Sequence, residues 1–229
     1  MGDILKGRPL YLVTDRRLCR GKGLNPLRGL NPFKGLNPLR GLVAAVEEAV
    51  SAGVRLVQLR EKDLPARELL ALARELRLVT SRHGAMLIVN NRLDAAILSD
   101  ADGVHLGQGD FSPADARPFL AKGKLIGVST HSLEEALKAE AGGADYITFG
   151  PVCHTPSKAA YGPPTGFGEL KKAVDAVRIP VFAIGGMKTG TIKDALAAGA
   201  KGVAVITAIL GGNDISGNVK ELMNELTGC

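Results

Sequence analysis

The chain alternates eight short apolar runs with eight stretches of helical pattern, and this alternation limits it to an α/β fold around a parallel sheet. The predicted strands are four or five residues long and almost wholly apolar, which is typical of parallel strands buried on both faces. They are Leu10–Thr14, Arg55–Leu59, Met86–Val89, Gly103–Leu106, Leu125–Val128, Tyr146–Phe149, Val181–Ile184 and Val203–Ile206. The predicted helices are Leu42–Ala52, Ala66–Arg82, Arg92–Ser99, Ala114–Ala121, Leu133–Ala141, Gly168–Ala176, Thr191–Ala198 and Gly217–Leu226.

Four of these helices end in a similar glycine-containing phrase directly before a strand. The phrases are Ser51–Val54, Ser99–Val104, Ala141–Tyr146 and Ala198–Val203. A glycine just past a helix can take the left-handed conformation that turns the chain into the next strand. One recurring joint favours a quasi-symmetric barrel over an open sheet, and no G-x-G-x-x-G follows any strand. We therefore predict a single TIM (β/α)8 barrel over residues 1–229, a length that suits one barrel.

A threefold repeat, Gly23–Arg28, Gly29–Lys34 and Gly35–Arg40, interrupts the pattern after the first strand. A proline at every sixth position excludes a continuous helix, so the sequence predicts a low-complexity loop insertion over residues 20–41. Between Arg16 and Val46 lie seven basic residues and no acidic one, whereas the other 22 basic and 23 acidic residues nearly balance. The net charge of +6 thus belongs to one segment, which we interpret as a solvated loop rather than a nucleic-acid-binding arm.

The remaining composition argues against a membrane or secreted protein. No run of about 18 apolar residues occurs, and Lys6 and Arg8 stand where a signal peptide needs its apolar region. The three cysteines, Cys19, Cys153 and Cys229, are far apart and match no metal-ligand spacing. We expect a cytoplasmic protein without a membrane partner, and whether it forms a homo-oligomer stays open.

Polar side chains gather where the predicted strands end, which is where barrel enzymes place their active sites. Three cations, Arg60, Lys62 and Lys158, follow the second and sixth strands and suit the oxygens of an anionic substrate. Gly185-Gly186 and Ile206-Thr207 follow the last two strands, where barrels often bind phosphate. These positions predict an enzyme that acts on a phosphorylated small molecule.

Two other residue types at the strand ends leave alternatives open. Asp110 could hold Mg²⁺, or it could be the N-cap of the helix that begins near Ser112. His105 is interpreted as a structural histidine rather than a base, whereas His131 and His154 lie on loops of the catalytic face.

Seven strand-end motifs together resemble the thiamine phosphate synthase family, within the superfamily that also contains TenI-like tautomerases. They are Tyr11–Asp15, Val57–Lys62, Asp102–Gln108, Gly127–His131, Gly143–Tyr146, Gly150–Lys158 and Ala183–Met187. The resemblance implies a transferase that joins a hydroxymethylpyrimidine diphosphate to a thiazole phosphate and releases diphosphate. It implies that the pyrimidine diphosphate is held by Gln58, Arg60, Lys62, Asn90, Ser129 and Lys158, among which Arg60, Lys62, Ser129 and Lys158 are catalytic. It implies that Asp110 binds Mg²⁺ and that the thiazole phosphate is held by Thr155, Ser157, Gly186, Ile206 and Thr207.

The sequence departs from the family pattern after the third strand, where Asn90-Asn91 replaces the usual Asn-Asp. Asn91 can still offer a carbonyl oxygen to Mg²⁺ but brings no charge, so weaker metal binding is expected. Thr207 stands where serine is more usual and keeps the hydroxyl. The insertion leaves from the catalytic face, and we expect it to act as a basic flap over the diphosphate.

Two other functions remain open at the level of sequence. A TenI-like thiazole tautomerase would use His131 for proton transfer and would need no Mg²⁺, and Asn91 also points that way. Against it, Lys62, Asp110 and Lys158 would be superfluous in an isomerase. A non-catalytic ligand-binding barrel is the other alternative, and a complete set of diphosphate cations argues against it.

Overall fold

The computed structural model describes residues 5–19, 38–155 and 163–228, and these residues form one closed barrel of eight parallel strands. Each strand pairs with its neighbours in chain order, and the eighth closes against the first through the register Tyr11↔Ala204. The strands are β1 (Leu10–Val13), β2 (Leu56–Leu59), β3 (Met86–Asn90), β4 (Gly103–Leu106), β5 (Leu125–Thr130), β6 (Tyr146–Phe149), β7 (Val181–Ile184) and β8 (Gly202–Val205). The predicted (β/α)8 barrel is confirmed.

Helices follow the strands and cover the outside of the barrel. They are α1 (Pro38–Ser51), α2 (Ala66–Arg82), α3 (Leu93–Leu98), α4 (Pro113–Ala116), α5 (Leu133–Ala141), α6 (Gly166–Ala176), α7 (Ile192–Ala197), α8 (Thr207–Leu210) and α9 (Ile215–Thr227). Short 3-10 turns lie at Arg16–Cys19 and Arg117–Phe119. None of the helices in the described segments is long and apolar enough to cross a membrane.

Three helices differ from the sequence prediction. Helix α1 begins at Pro38, so residues 38–41 of the predicted insertion are helical, because proline is tolerated in the first turn where its missing N–H has no helical partner. The predicted helix Ala114–Ala121 is α-helical only as far as Ala116, since Pro118 cannot continue the α-helical hydrogen bonds. Helix α8 was not predicted, because four residues are too few to show a helical period. The rest of the predicted insertion, residues 20–37, lies outside the described residues.

The core has two layers. The larger layer lies between the strands and the surrounding helices. The smaller layer fills the inside of the barrel with Leu5, which precedes β1, and with inward-facing side chains of the strands. The strand residues are Tyr11, Val13, Leu56, Met86, Ile88, Leu125, Tyr146, Phe182 and Ala204. The interior of the barrel is therefore packed with side chains, and the polar residues of the predicted site lie at the carboxyl ends of the strands.

Two of the recurring joints carry an aspartate that ties neighbouring strands together. Asp102 Oδ2 accepts from the backbone N–H of Leu87 at 2.8 Å, and Asp145 Oδ2 accepts from that of Ile126 at 2.7 Å. Arg117 Nη2 donates to the same Asp145 oxygen at 2.5 Å. These bonds lie at the amino ends of the strands, opposite the predicted site, so their role is stability.

Asp145→Ala is expected to lower the free energy of unfolding by about 1–2 kcal/mol, because Ile126 N–H and the Arg117 guanidinium both lose an acceptor. Urea denaturation followed by circular dichroism measures the change. Asp175→Ala, which removes an exposed carboxylate from α6, is the matched control and should lower it by much less. Equal losses in the two variants would contradict the assigned role of Asp145.

Candidate active site

The end of β2 is anchored to the end of β1 through the buried residues Thr14 and Glu61. The Thr14 hydroxyl donates to Glu61 Oε1 at 2.8 Å and accepts from the backbone N–H of Arg60 at 2.9 Å. Glu61 also accepts from the backbone N–H and the guanidinium of Arg16, each at 3.0 Å. These bonds hold the segment that carries Arg60 and Lys62 against the first strand.

Arg16 extends this anchor to the solvent. Its guanidinium makes two further bonds to the Asp63 carboxylate, at 2.7 and 2.9 Å, and these lower the pKa of Asp63 to about 2. Burial raises the pKa of the Glu61 carboxyl, while the bonds from Thr14 and Arg16 oppose that rise. Glu61 was not among the residues predicted from the sequence, although an acidic residue between two cations at a strand end was a usable signal.

Four of the predicted site residues line one pocket of about 370 Å³ at the carboxyl ends of β2, β3 and β4. They are Lys62, Asn90, Asn91 and Asp110, and Glu61, Leu64, Leu69 and Arg92 complete the lining among the described residues. Lys62 is exposed, whereas Asn90, Asn91 and Asp110 are half-buried. The pocket therefore presents cations, amide groups and two carboxylates, those of Asp110 and the anchored Glu61, to the same space.

Asp110 and Asn91 approach each other beside the backbone of Gly107. A methyl group placed on Gly107 would lie 3.1 Å from Asp110 Oδ2 and 3.9 Å from Asn91 Oδ1. Asp110 Oδ2 accepts from the N–H of Gly107 at 2.5 Å, and Asp110 Oδ1 has no hydrogen-bond partner within the described segments. Asn91 reaches this place from a left-handed backbone conformation, with φ of 62°, which asparagine tolerates well.

These oxygens fit Mg²⁺ only in the mode in which the substrate completes the site. No group of three or more His, Cys, Asp or Glu side chains able to hold a metal occurs among the described residues, so these residues do not form a full cage for a metal. Mg²⁺ commonly takes one or two carboxylates together with substrate phosphates and waters. One carboxylate and one amide oxygen match that mode, and Lys62 lines the same pocket, where it can contact the substrate phosphates.

Asp110 is not an N-cap, so that alternative from the sequence is wrong. The N-cap of α4 is Ser112, whose hydroxyl accepts from the N–H of Asp115 at 3.2 Å while Asp115 accepts from the N–H of Ser112 at 3.1 Å. This capping box satisfies the start of the helix without Asp110. The carboxylate of Asp110 is thereby left to the pocket.

Gln58 and Ser129 lie toward the carboxyl ends of β2 and β5, near the mouth of the barrel. Gln58 is buried, and its Nε2 donates to Tyr11 Oη at 2.8 Å. Ser129 Oγ lies 2.9 Å from Nε2 of His105, which is buried among hydroxyl groups. Burial, aided by the charge of Arg60, lowers the pKa of His105 to about 3, in agreement with the structural role expected for it.

The loops after β6 and β7 pack closely at the other predicted phosphate site. Gly185 and Gly186 have φ of 93° and 67°, and a methyl group on Gly186 would lie 2.7 Å from both Cys153 Cβ and the carbonyl oxygen of His154. Only glycine allows this approach, which brings β7 next to the loop that carries Thr155.

Of the other residues predicted to hold the thiazole phosphate, the structure describes two, Ile206 and Thr207. Ile206 packs against the inner core, and Thr207 is exposed at the start of α8. Ser157 and Lys158 lie outside the described residues. His131, the candidate proton-transfer residue of the tautomerase alternative, is exposed, and its Nδ1 lies 3.0 Å from Glu135 Oε2.

Comparison with known proteins decides the family. The family model described as "Thiamine monophosphate synthase" matches residues 34–209. The chain belongs to this family. The resemblance seen in the strand-end motifs is therefore confirmed, and the protein is an enzyme, a transferase of thiamine biosynthesis.

Relatives in this family match nearly the whole chain. A thiamine-phosphate synthase of Methanospirillum hungatei is 45% identical over 207 residues, which cover 90% of this chain and 92% of that protein. One of Methanoculleus marisnigri is 40% identical over 220 residues, covering 96% of each. The solved structure of a thiamine phosphate pyrophosphorylase from Pyrococcus furiosus superposes with a TM-score of 0.81 at 35% identity, covering 97% of this chain and 96% of that one.

Proposed function

We propose that this protein is a thiamine phosphate synthase that couples a hydroxymethylpyrimidine diphosphate to a thiazole phosphate with the assistance of Mg²⁺. The bond between the pyrimidine methylene and the diphosphate oxygen breaks, the diphosphate leaves, and the thiazole nitrogen forms the new bond to the methylene carbon. The observation that carries the proposal is the single pocket where Lys62, Asn90, Asn91 and Asp110 meet.

The chain's own charges account for the departure of the diphosphate. Negative charge grows on the leaving oxygens, so cations already fixed around them lower the barrier without reorganising. Lys62 lines the pocket, and Thr14 and Glu61 hold the backbone of the segment on which Lys62 and Arg60 stand. Asp110 and Asn91 would hold Mg²⁺, which supplies Lewis-acid stabilisation of the leaving diphosphate when it is bound.

The second substrate would bind on the opposite side of the barrel mouth. Gly185 and Gly186 turn with positive φ beside the loop that carries Thr155, so backbone N–H groups are available there for a phosphate. With Ile206 and Thr207 at the end of β8, these residues form the proposed thiazole phosphate site. Ser157 and Lys158 remain proposed members of the two sites.

One assay tests this function against its nearest alternative. The purified protein receives both substrates, with and without Mg²⁺, and thiamine phosphate and diphosphate are measured together. Equal amounts of the two products that depend on Mg²⁺ support the synthase. Isomerisation of a thiazole carboxylate phosphate without coupling would instead support a tautomerase that uses the His131–Glu135 pair.

Asn91→Asp is expected to lower the Mg²⁺ concentration needed for half-maximal rate by about tenfold, because a second carboxylate joins Asp110 at the metal. Aspartate tolerates the left-handed conformation of this position almost as well as asparagine. The measurement is a Mg²⁺ titration of the coupling rate. Asn224→Asp, the same change on the exposed face of α9, is the control and should leave the titration unchanged. An unchanged or higher Mg²⁺ requirement in Asn91→Asp would speak against Asn91 as a ligand.

A further inference from the structure

A chain of hydrogen bonds crosses the inside of the barrel and joins two residues of the proposed pyrimidine site. Gln58 Nε2 donates to Tyr11 Oη at 2.8 Å, and Tyr11 Oη lies 2.8 Å from Tyr146 Oη. Tyr146 Oη lies 3.2 Å from His105 Nδ1, and His105 Nε2 lies 2.9 Å from Ser129 Oγ. The three residues between the two ends have no part in the function proposed above.

This series of hydrogen bonds is held in place by the packing of the barrel interior. Tyr11 and Tyr146 are fully buried and pack edge to face, with ring centroids 5.9 Å apart, and both contact Phe182 in the same way. Gly127 of β5 leaves the space for them, because a methyl group at that position would meet the Tyr146 ring and would lie 2.5 Å from His105 Nδ1. The strand therefore carries glycine where any other side chain would break the network.

The chemistry of Gln58, at one end of the series, fixes which atom donates and which accepts in each hydrogen bond. The Gln58 amide nitrogen can only donate, so Tyr11 Oη accepts from it. Tyr146 Oη is then the acceptor that the described residues offer to the buried proton of Tyr11. Tyr146 then donates to Nδ1 of His105. The described partners of the imidazole are all hydroxyl groups, the third being Thr148 Oγ1 at 3.5 Å from Nε2, so no carboxylate favours a charged ring. A neutral ring that accepts at Nδ1 carries its proton on Nε2 and donates to Ser129 Oγ.

This direction decides what the two ends offer to a ligand. Ser129 Oγ accepts from His105, so its proton is free to be donated outward. Gln58 uses one of its two amide N–H groups on Tyr11, and this bond fixes the orientation of the amide so that its carbonyl oxygen is available as an acceptor. A 4-aminopyrimidine pairs an amino donor with a ring-nitrogen acceptor and complements this pattern, whereas a 4-oxopyrimidine presents the opposite one.

We propose that Tyr11, Tyr146 and His105 are positioning residues that set Gln58 as acceptor and Ser129 as donor, and so select an aminopyrimidine over its oxo analogue. The inference rests on the proposed function, because it concerns the ring of the same substrate. A site built to bond a given polar group rejects the analogue that lacks it, since its own buried polar groups are then left unpaired.

The first test determines the tautomer of the His105 ring in the full-length protein without substrate. Long-range ¹H–¹⁵N NMR spectra distinguish the two neutral tautomers, and the spectrum of His105→Gln assigns the His105 signal among the four histidines. The expected result is a neutral ring protonated at Nε2. A ring protonated at Nδ1 would reverse the donor and acceptor roles along the series of hydrogen bonds and would overturn the proposal.

The second test removes one hydroxyl. Tyr146→Phe is expected to raise the KM for the pyrimidine diphosphate by about tenfold, and to lower by about tenfold the preference for the 4-amino over the 4-oxo compound. The KM for the thiazole phosphate should not change, a split that general destabilisation would not produce.

Phe182→Leu is the matched control, because it alters the same aromatic cluster without touching a hydrogen bond. It should keep the His105 tautomer and the substrate preference. An unchanged preference in Tyr146→Phe would contradict the proposal. Failure of the proposed function is distinguishable, because the wild-type protein would then form no thiamine phosphate, whatever the tautomer of His105.

Discussion

Asp110→Ala is expected to lower kcat/KM for the pyrimidine diphosphate by about a hundredfold and to weaken the response of the rate to Mg²⁺. Asp110 lies beside Asn91 at Gly107, and its Oδ1 has no hydrogen-bond partner within the described segments, so it is available to bind a cation. Because asparagine brings no charge, removal of Asp110 leaves the metal with amide oxygens and substrate only. Steady-state kinetics over a range of Mg²⁺ concentrations measures the effect.

Two variants make this result specific. Asp110→Asn keeps the shape and the bond to Gly107 but removes the charge, so it should fall between the wild-type protein and Asp110→Ala. Asp175→Ala, which removes an exposed carboxylate from α6, should keep the wild-type kcat/KM. Wild-type kinetics in Asp110→Ala would exclude this residue from the metal site.

The second large effect is a loss of stability in mild acid that comes from His105. Burial lowers the pKa of this imidazole to about 3, whereas an unfolded chain titrates its histidines near 6.5. Below about pH 6.5 the unfolded chain therefore takes up a proton that the folded protein does not. The free energy of unfolding should fall by about 1.4 kcal/mol between about pH 7.5 and 5.5 on this account.

Urea denaturation at a series of pH values measures this dependence. His105→Gln removes the titrating group and should lose that part of the slope, even if its stability at neutral pH is lower. His131→Gln, which removes an exposed imidazole at the same end of the barrel, is the matched control and should keep the slope. An equal slope in wild-type protein and His105→Gln would show that His105 does not titrate in this way.

The fold followed from local signals. Each strand in the structure overlaps its predicted apolar run, and Gly143 and Gly199 take positive φ at the predicted joints, with values of 90° and 89°. The ends of helices and the conformation of the joints differ from the prediction where two local tendencies compete. Pro38 lies in a repeat that favours turns, yet it starts a helix, and in the second joint the positive φ falls on Asp100 rather than on a glycine.

The candidate site was predictable only in part. Lys62, Asn90, Asn91 and Asp110 were accessible to sequence reasoning, because parallel strands bring their carboxyl ends to one face of a barrel. Glu61 was missed because, in a strand-end segment, the sequence does not say which side chain turns inward to become an anchor. Its role as an anchor depends on Thr14 and Arg16 in another strand's loop.

The sequence by itself determined the barrel and the family, and it predicted the face on which the site is proposed, since periodicity, glycine joints and strand-end motifs are properties of short segments. Only the tertiary structure decided which side chains meet inside. Tyr11 and Tyr146 are 135 residues apart, and they touch because the barrel closes in one register that turns both rings inward. Hydrogen-bond direction along such a chain depends on every member at once, so no local pattern can encode it.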